Sequence, residues 1–261
     1  MTHKLQISEF RAQQLQALRN VTIHSPSIIQ IISGNKRLFG QEESVTLTPS
    51  SLLLSPASAS FSFANVPEKG PFLSRVFSFH CNPSQEMLTL SENNTSITDS
   101  THSLTDQAIQ ETLNALAGFN LNSMSHQTQH FWLMALFQQL AERGALHRIY
   151  PSSKSSYSEM IARYLAASPA QEHTLENVAE HFAMSRATLI RKLKQEGHQY
   201  RHLLAQVRLN HALQLMRKHH YDGYLLAQMC GYQSEQRFRR RFKDKFGLTP
   251  TEYQRTINQN H

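Results

Sequence analysis

The sequence predicts a two-domain chain. The N-terminal domain is α+β, with short strands followed by two helices, and the C-terminal domain is all-α, with two helix-turn-helix motifs joined by a long helix. Three observations carry this. Short β-rich runs between Val21 and Phe79 are punctuated by Pro, Gly and Asn turn signals. From Tyr157 onward apolar residues recur at helical spacing. Charge is divided as well: residues 1–154 hold ten Lys/Arg and ten Asp/Glu, whereas 155–261 hold sixteen and nine, which is the whole +7 of the chain. An excess confined to one domain points to a polyanionic partner for that domain alone.

In chain order, residues 5–20 read as a short opening helix, with Leu15 and Leu18 on one face. Strands follow at Val21–His24, Ser27–Ser33, Ser44–Leu47, Ser51–Leu54, Ser60–Ala64 and Phe72–Phe79. Their number and spacing suggest a sandwich or barrel. Residues 91–102 are rich in Ser, Thr and Asn and read as a loop. The run Ser103-Leu-Thr-Asp106 caps a helix with Ile109, Leu113 and Leu116 on one face. A second helix over 127–143 carries Leu133, Leu136, Phe137 and Leu140 as a stripe, which either packs on the strands or forms a dimer contact. The expected boundaries are a domain over 1–148, a Ser-rich linker over 149–156 and a domain over 157–261.

The C-terminal domain opens with a helix at Tyr157–Ala167. Thr174 caps the next, with Val178 and Ala179 inward, and Ser185 caps a third, with Leu189 and Leu193 inward. That pair is a first helix-turn-helix. Arg186, Ala187, Thr188, Ile190, Arg191 and Lys194 then fall on or beside its outward face. A longer helix spans about Gln199 to His219, and at 1.5 Å per residue its length approaches one turn of B-DNA. The second motif runs from Tyr224 through a turn at Gly231 into a densely basic helix capped by Ser234 and closed by Gly247. Phe238, Phe242 and Phe246 recur every fourth residue and mark its inner face. Gln236, Arg237, Arg239, Arg240 and Lys243 lie outside that face. Arg and Gln one turn apart are suited to guanine and adenine edges, so double-stranded DNA is the expected partner. Thr249-Pro250-Thr251-Glu252 begins a last helix with a capping box.

This stretch resembles the C-terminal signature of the AraC/XylS family of bacterial transcription regulators. Ala227, Gly231, Tyr232, Ser234, Phe238, Phe242, Lys243, Gly247, Thr249, Pro250 and Tyr253 fit the pattern in register, and the likeness extends upstream to about Tyr157. Leu226, where the family usually has Ile, and the pair Asp222-Gly223 depart from it. The resemblance implies a cupin-like barrel at the N-terminus, a homodimer, an activator that meets promoter DNA and RNA polymerase, and control by a small molecule or a protein.

Other chemistry finds little support. His219 and His220 are adjacent and share no helix face, and neither His-Glu-x-x-His nor Cys-x-x-Cys occurs, so no metal site is expected. No phosphate loop, nucleophile motif or cofactor signature is present, so no cofactor and no enzyme are expected. Cys81 and Cys230 are far apart, which fits a reducing cytoplasm, and no apolar run is long enough for a membrane span. Lys36, Arg37 and Arg75 are scarce cations in a neutral domain and are candidates to meet a ligand carboxylate, the alternative for Lys36 and Arg37 being exposed turn charges. Two further readings stay open: a small-molecule sensor, or an enzyme-like β-domain that its helical domain targets to DNA.

Overall fold

The computed structural model describes residues 4–40, 44–95, 103–104, 106–151 and 156–257. Two compact units emerge, one of residues 1–16 and 25–152, the other of 17–24 and 153–261.

The first unit is built on antiparallel strands. A five-stranded sheet has the order β1 (Leu5–Ala12), β8 (Phe72–Phe79), β3 (Ser27–Ser33), β6 (Leu52–Ser55), β9 (Ser103–Leu104). In the second sheet β7 (Ala59–Val66), β4 (Asn35–Phe39) and β5 (Ser44–Leu47) lie side by side. The expected opening helix is absent, because residues 5–12 are β1, paired in full register from Leu5 with Phe79 to Ala12 with Phe72. The pairing with β8, and not any alternation of burial along the segment, is what makes it a strand. Lys36 and Arg37 lie in β4 rather than in a turn, and successive residues of a strand face opposite ways. Lys36 is therefore buried and Arg37 exposed.

Among the described residues, the sheets are accompanied by α1 (Gln85–Asn93), α2 (Gln107–Gly118), α3 (His126–Glu142) and α4 (Leu146–Ile149). The expected pair corresponds to α2 and α3. Helix α1, capped by Ser84, takes in Ser91–Asn93 from the expected loop, while residues 96–102 lie outside the described residues. Asp106 caps α2, its side chain accepting from the Ile109 amide at 2.8 Å. Leu133, Leu136, Phe137 and Leu140 of α3 are wholly buried. Phe137 meets Phe79 edge-on at 5.2 Å and Tyr150 at 5.4 Å. This corrects the reading of the stripe as a dimer contact, since a partner cannot reach these side chains without opening the core. Ile149 and Tyr150 belong to the same core, and Tyr150 donates to the Cys81 carbonyl at 2.8 Å. They are thus not linker, and residues 152–155 of the expected linker lie outside the described residues.

The helical unit contains α5 (Tyr157–Ala167), α6 (Leu175–His181), α7 (Arg186–Gln195), α8 (Tyr200–Lys218), α9 (Gly223–Met229), α10 (Glu235–Phe246) and α11 (Pro250–Ile257). Ser156 and Glu159 form a capping box on α5. Glu196, at the end of α7, accepts from the Tyr157 and Ser158 amides at 2.7 and 2.8 Å. Burial alone would raise its pKa, but those amides outweigh burial and hold the carboxyl below its usual range. The Thr249–Glu252 capping box is reciprocal: the Thr249 amide donates to Glu252 and the Glu252 amide to the Thr249 hydroxyl. Strand β2 (Gln16–Ile23) brings Thr22 into this unit, where Asn210 donates to its carbonyl at 2.9 Å and Gln206 to its hydroxyl at 2.6 Å. Among the described residues no helix is long and apolar enough to cross a membrane.

Candidate nucleic-acid interface

Both helix-turn-helix motifs are built in the same way. In the first, the Ala183 amide donates to the Glu180 carbonyl and the Met184 amide to the Ala179 carbonyl, each at 2.9 Å. In the second, Gly231 donates to Gln228 at 2.8 Å and Tyr232 to Ala227 at 2.9 Å. Each pair closes the end of the scaffold helix and turns the chain toward the next. The turning residue has positive φ in both, 51° at Ala183 and 75° at Gly231. At the second, a Cβ on Gly231 would also stand 2.7 Å from Cζ of Arg208, so that side chain would have to shift. Ser185 and Ser234 then cap α7 and α10, accepting from the Thr188 and Arg237 amides.

The inner faces fix which side is outward. Leu189 and Leu193 of α7 are buried with Val178, Ala179 and Leu203. Phe238, Phe242 and Phe246 of α10 are fully buried, with ring centroids 5.8 and 4.8 Å apart in succession, and Tyr253 of α11 closes over Phe242 at 6.3 Å. Cys230 lies in this core, and burial pushes its thiol up to about 12, leaving it a protonated packing group.

On α7, Arg186, Ala187, Ile190, Arg191 and Lys194 are exposed. Arg186 is paired with Glu176 of α6 at 2.8 Å. Thr188 is only half-exposed, and its hydroxyl lies 2.9 Å from that of Ser185, so it serves the cap as well as the face. On α10, Gln236, Arg237, Arg239, Arg240 and Lys243 are all exposed. Arg239 leans on Glu235 at 3.6 Å and Arg240 on Asp244 at 4.0 Å, exposed pairs worth only a fraction of a kcal/mol and readily released to a phosphate or a base. Arg201, Arg208 and Arg241, which have no place on the expected face, stand with Arg237 around a small cavity between α8 and α10. Their spacing, seven residues on one helix and four on the other, is the signal that identifies them in the sequence.

The three cations expected to meet a ligand, Lys36, Arg37 and Arg75, do not converge. Arg75 is paired with Glu9 across β8 and β1 at 2.9 Å, and Arg37 is exposed. Lys36 alone points inward, 5% exposed, with Nζ donating to Asn65 and lying 3.5 Å from the centroid of the Phe63 ring. Asn65 in turn donates to Gln16 at 2.9 Å. Burial lowers the Lys36 pKa to about 7.

Comparison with known proteins places this architecture. A model described as a helix-turn-helix domain matches residues 178–256. The regulator GadX of Escherichia coli K12 is 40% identical over 85 residues, 33% of this chain and 31% of that protein. The urease operon transcriptional activator of Escherichia coli is 30% identical over 128 residues, 49% of this chain and 42% of that protein. The chain thus spans about a third of the length of the first of these relatives and under half of the second. Their descriptions are those of transcription regulators, not of enzymes. A crystal structure of ToxT from Vibrio cholerae with an unsaturated fatty acid bound has the same fold, with a TM-score of 0.64 at 15% identity, covering 99% of this chain and 98% of that one. Residues 178–256 thus carry a helix-turn-helix domain similar to those of transcription regulators, on a fold shared with the ToxT structure along nearly the whole chain.

Proposed function

We propose that this chain is a sequence-specific DNA-binding transcription activator that lays α7 and α10 into two successive major grooves. The observation that carries this is the repeated construction: two capped helices, each anchored by an apolar inner face, each showing a basic outer one, joined through a 19-residue helix. Nineteen residues span about 28 Å, close to the roughly 34 Å of one duplex turn. Gln236 and Arg240 suit adenine and guanine edges, while Ala187 and Ile190 suit thymine methyls. The half-site under α10 is therefore the stricter. RNA polymerase is the natural second partner of an activator, and the urease relative is one by description. Selecting binding sites from random DNA with wild type and Arg240→Ala tests the reading: one or two base pairs should lose their preference, at a cost of about 1–3 kcal/mol. Identical logos would make Arg240 a phosphate contact or a plain surface charge.

Control resides in the first unit, at Lys36. A buried amine held by one amide, beside aromatic rings and with no carboxylate partner among the described residues, favours a ligand that brings an acid group and an apolar body. The fatty acid of the ToxT crystal structure is of that chemical class. Oleate should raise the melting temperature of wild type saturably, oleyl alcohol should not, and Lys36→Met should abolish the response. A response retained in Lys36→Met removes Lys36 from the reading. Self-association completes the proposal: with the buried stripe of α3 committed to the core, a second copy would meet the exposed Phe131. Sedimentation of Phe131→Glu against wild type measures it, and a wild type that is monomeric at micromolar concentration ends it.

A further inference from the structure

We infer that α8 and α10 enclose a seat for one phosphate-type oxyanion, separate from the residues that face the bases. A cavity of about 140 Å³ lies between the two helices, lined by Arg201 and Arg208 of α8, Arg237 and Arg241 of α10, and Tyr232 of the turn. Among the described residues no carboxylate lines it. Arg239 and Arg240 on the same helix each have an acidic neighbour, but among the described residues none of these four is in an ion pair. Four guanidinium groups gathered without an anion repel one another. A tetrahedral oxyanion relieves that repulsion and matches their planar forks of donors.

Two further observations show that the cavity is built. Tyr232 is 8% exposed, and its hydroxyl is buried without a hydrogen bond of normal geometry, a state that native structures rarely leave unanswered. Burial raises its pKa, against a contact with Arg241 and the charges of Arg241 and Arg208, so the group stays protonated and its O–H is free to donate to an anion. Arg208 is fixed: Nε donates to the Pro169 carbonyl at 3.1 Å and Nη2 to that of Gln171 at 2.9 Å, while its guanidinium rests on Gly231. The size selects the ligand. Organic ligands occupy roughly 300–1,000 Å³, so this space takes a single phosphate or sulfate group rather than a nucleotide.

Such a group is either a backbone phosphate of bound DNA, which rests on the function proposed above, or a free anion, which does not. The full chain separates the two. In Tris chloride at constant ionic strength, orthophosphate should raise the melting temperature of wild type saturably. Arg241→Gln and Tyr232→Phe should weaken that response several-fold, circular dichroism showing each folded. With a duplex selected from random DNA, Arg241→Gln should weaken specific and random sequences by the same factor, about tenfold, and reduce the slope of log K against log salt by about one unit. A methylphosphonate scan of the duplex identifies the backbone as the source if one neutral linkage erases the difference between wild type and variant. A phosphate response with an unchanged salt slope assigns the seat to a free anion. If neither measurement separates wild type from the two variants, there is no seat. A wild type that binds no duplex ends the regulator reading, while the phosphate titration still decides this one.

Discussion

Lys36 shows what a single buried charge does to a fold. Its pKa of about 7 lies well below the ordinary lysine value of 10.5, so between those limits the unfolded chain binds more protons than the folded one. Stability therefore rises as pH climbs from about 7 toward 10, by up to about 1.4 kcal/mol per unit from this residue, and below 7 the full penalty of burial remains. Lys36→Met should be the more stable protein at neutral pH and should lack this slope in denaturant titrations at successive pH values. A parallel slope in the variant would mean that Lys36 stays charged inside the fold. The sequence pointed to Lys36 as a scarce cation but not to its burial, because adjacent charges at 36 and 37 read as a turn. Only the pairing of β4 with β7 and β5 assigns alternate residues to opposite faces. The two turning residues make a second comparison. Ala183→Gly relieves a left-handed alanine but loosens the unfolded chain, so it should be neutral or stabilising by up to about 1 kcal/mol. Gly231→Ala acquires the same strain and must also displace Arg208, so it should cost more, on the order of 1–3 kcal/mol. Equal effects in thermal denaturation would show that the Arg208 contact carries no weight.

At the scale of elements, legibility followed the strength of local signals. Helix α5 has its expected bounds, α10 begins and ends at the caps that the sequence shows, and α11 begins at its own, because Ser, Thr, Gly and Pro act within a few residues. The face of α10 was equally plain, since three phenylalanines in register leave one orientation. Helix α3 was read correctly as an element but left open in role, for a stripe of leucines looks the same whether it meets a sheet or a second copy. Its burial decides between them, and a prediction follows. Leu133→Asp should destabilise the chain by 3 kcal/mol or more, roughly, read as a shifted urea midpoint, rather than convert a dimer to folded monomers. A fully folded monomeric Leu133→Asp would restore the dimer role. Residues 5–20 failed for the opposite reason. Their apolar side chains are sparse, and the register of β1 on β8 is a long-range fact that no local window contains.

Across the whole molecule, the charge divides at nearly the same place as the two compact units. The net charge of residues 155–261 is the charge of the chain, and the exposed residues of α7 and α10 carry much of it. Removing Lys243, exposed beyond Arg240, should weaken every duplex alike and flatten the salt slope by about one unit, measured by titration at several salt concentrations. Arg208 adds a consequence of another kind. It grips the carbonyls of Pro169 and Gln171, which precede the first helix-turn-helix, and rests on the turn of the second. It therefore acts as a brace between two parts that would otherwise be hinged only through their common helix. A braced pair tolerates one separation between half-sites. Each base pair inserted between them turns the second site by about a tenth of a revolution, so even a single insertion should abolish simultaneous contact. Without the brace, in Arg208→Ala, binding to the original site should weaken while the penalty for the insertion shrinks, so that the side chain serves as a ruler for the distance between two words of DNA.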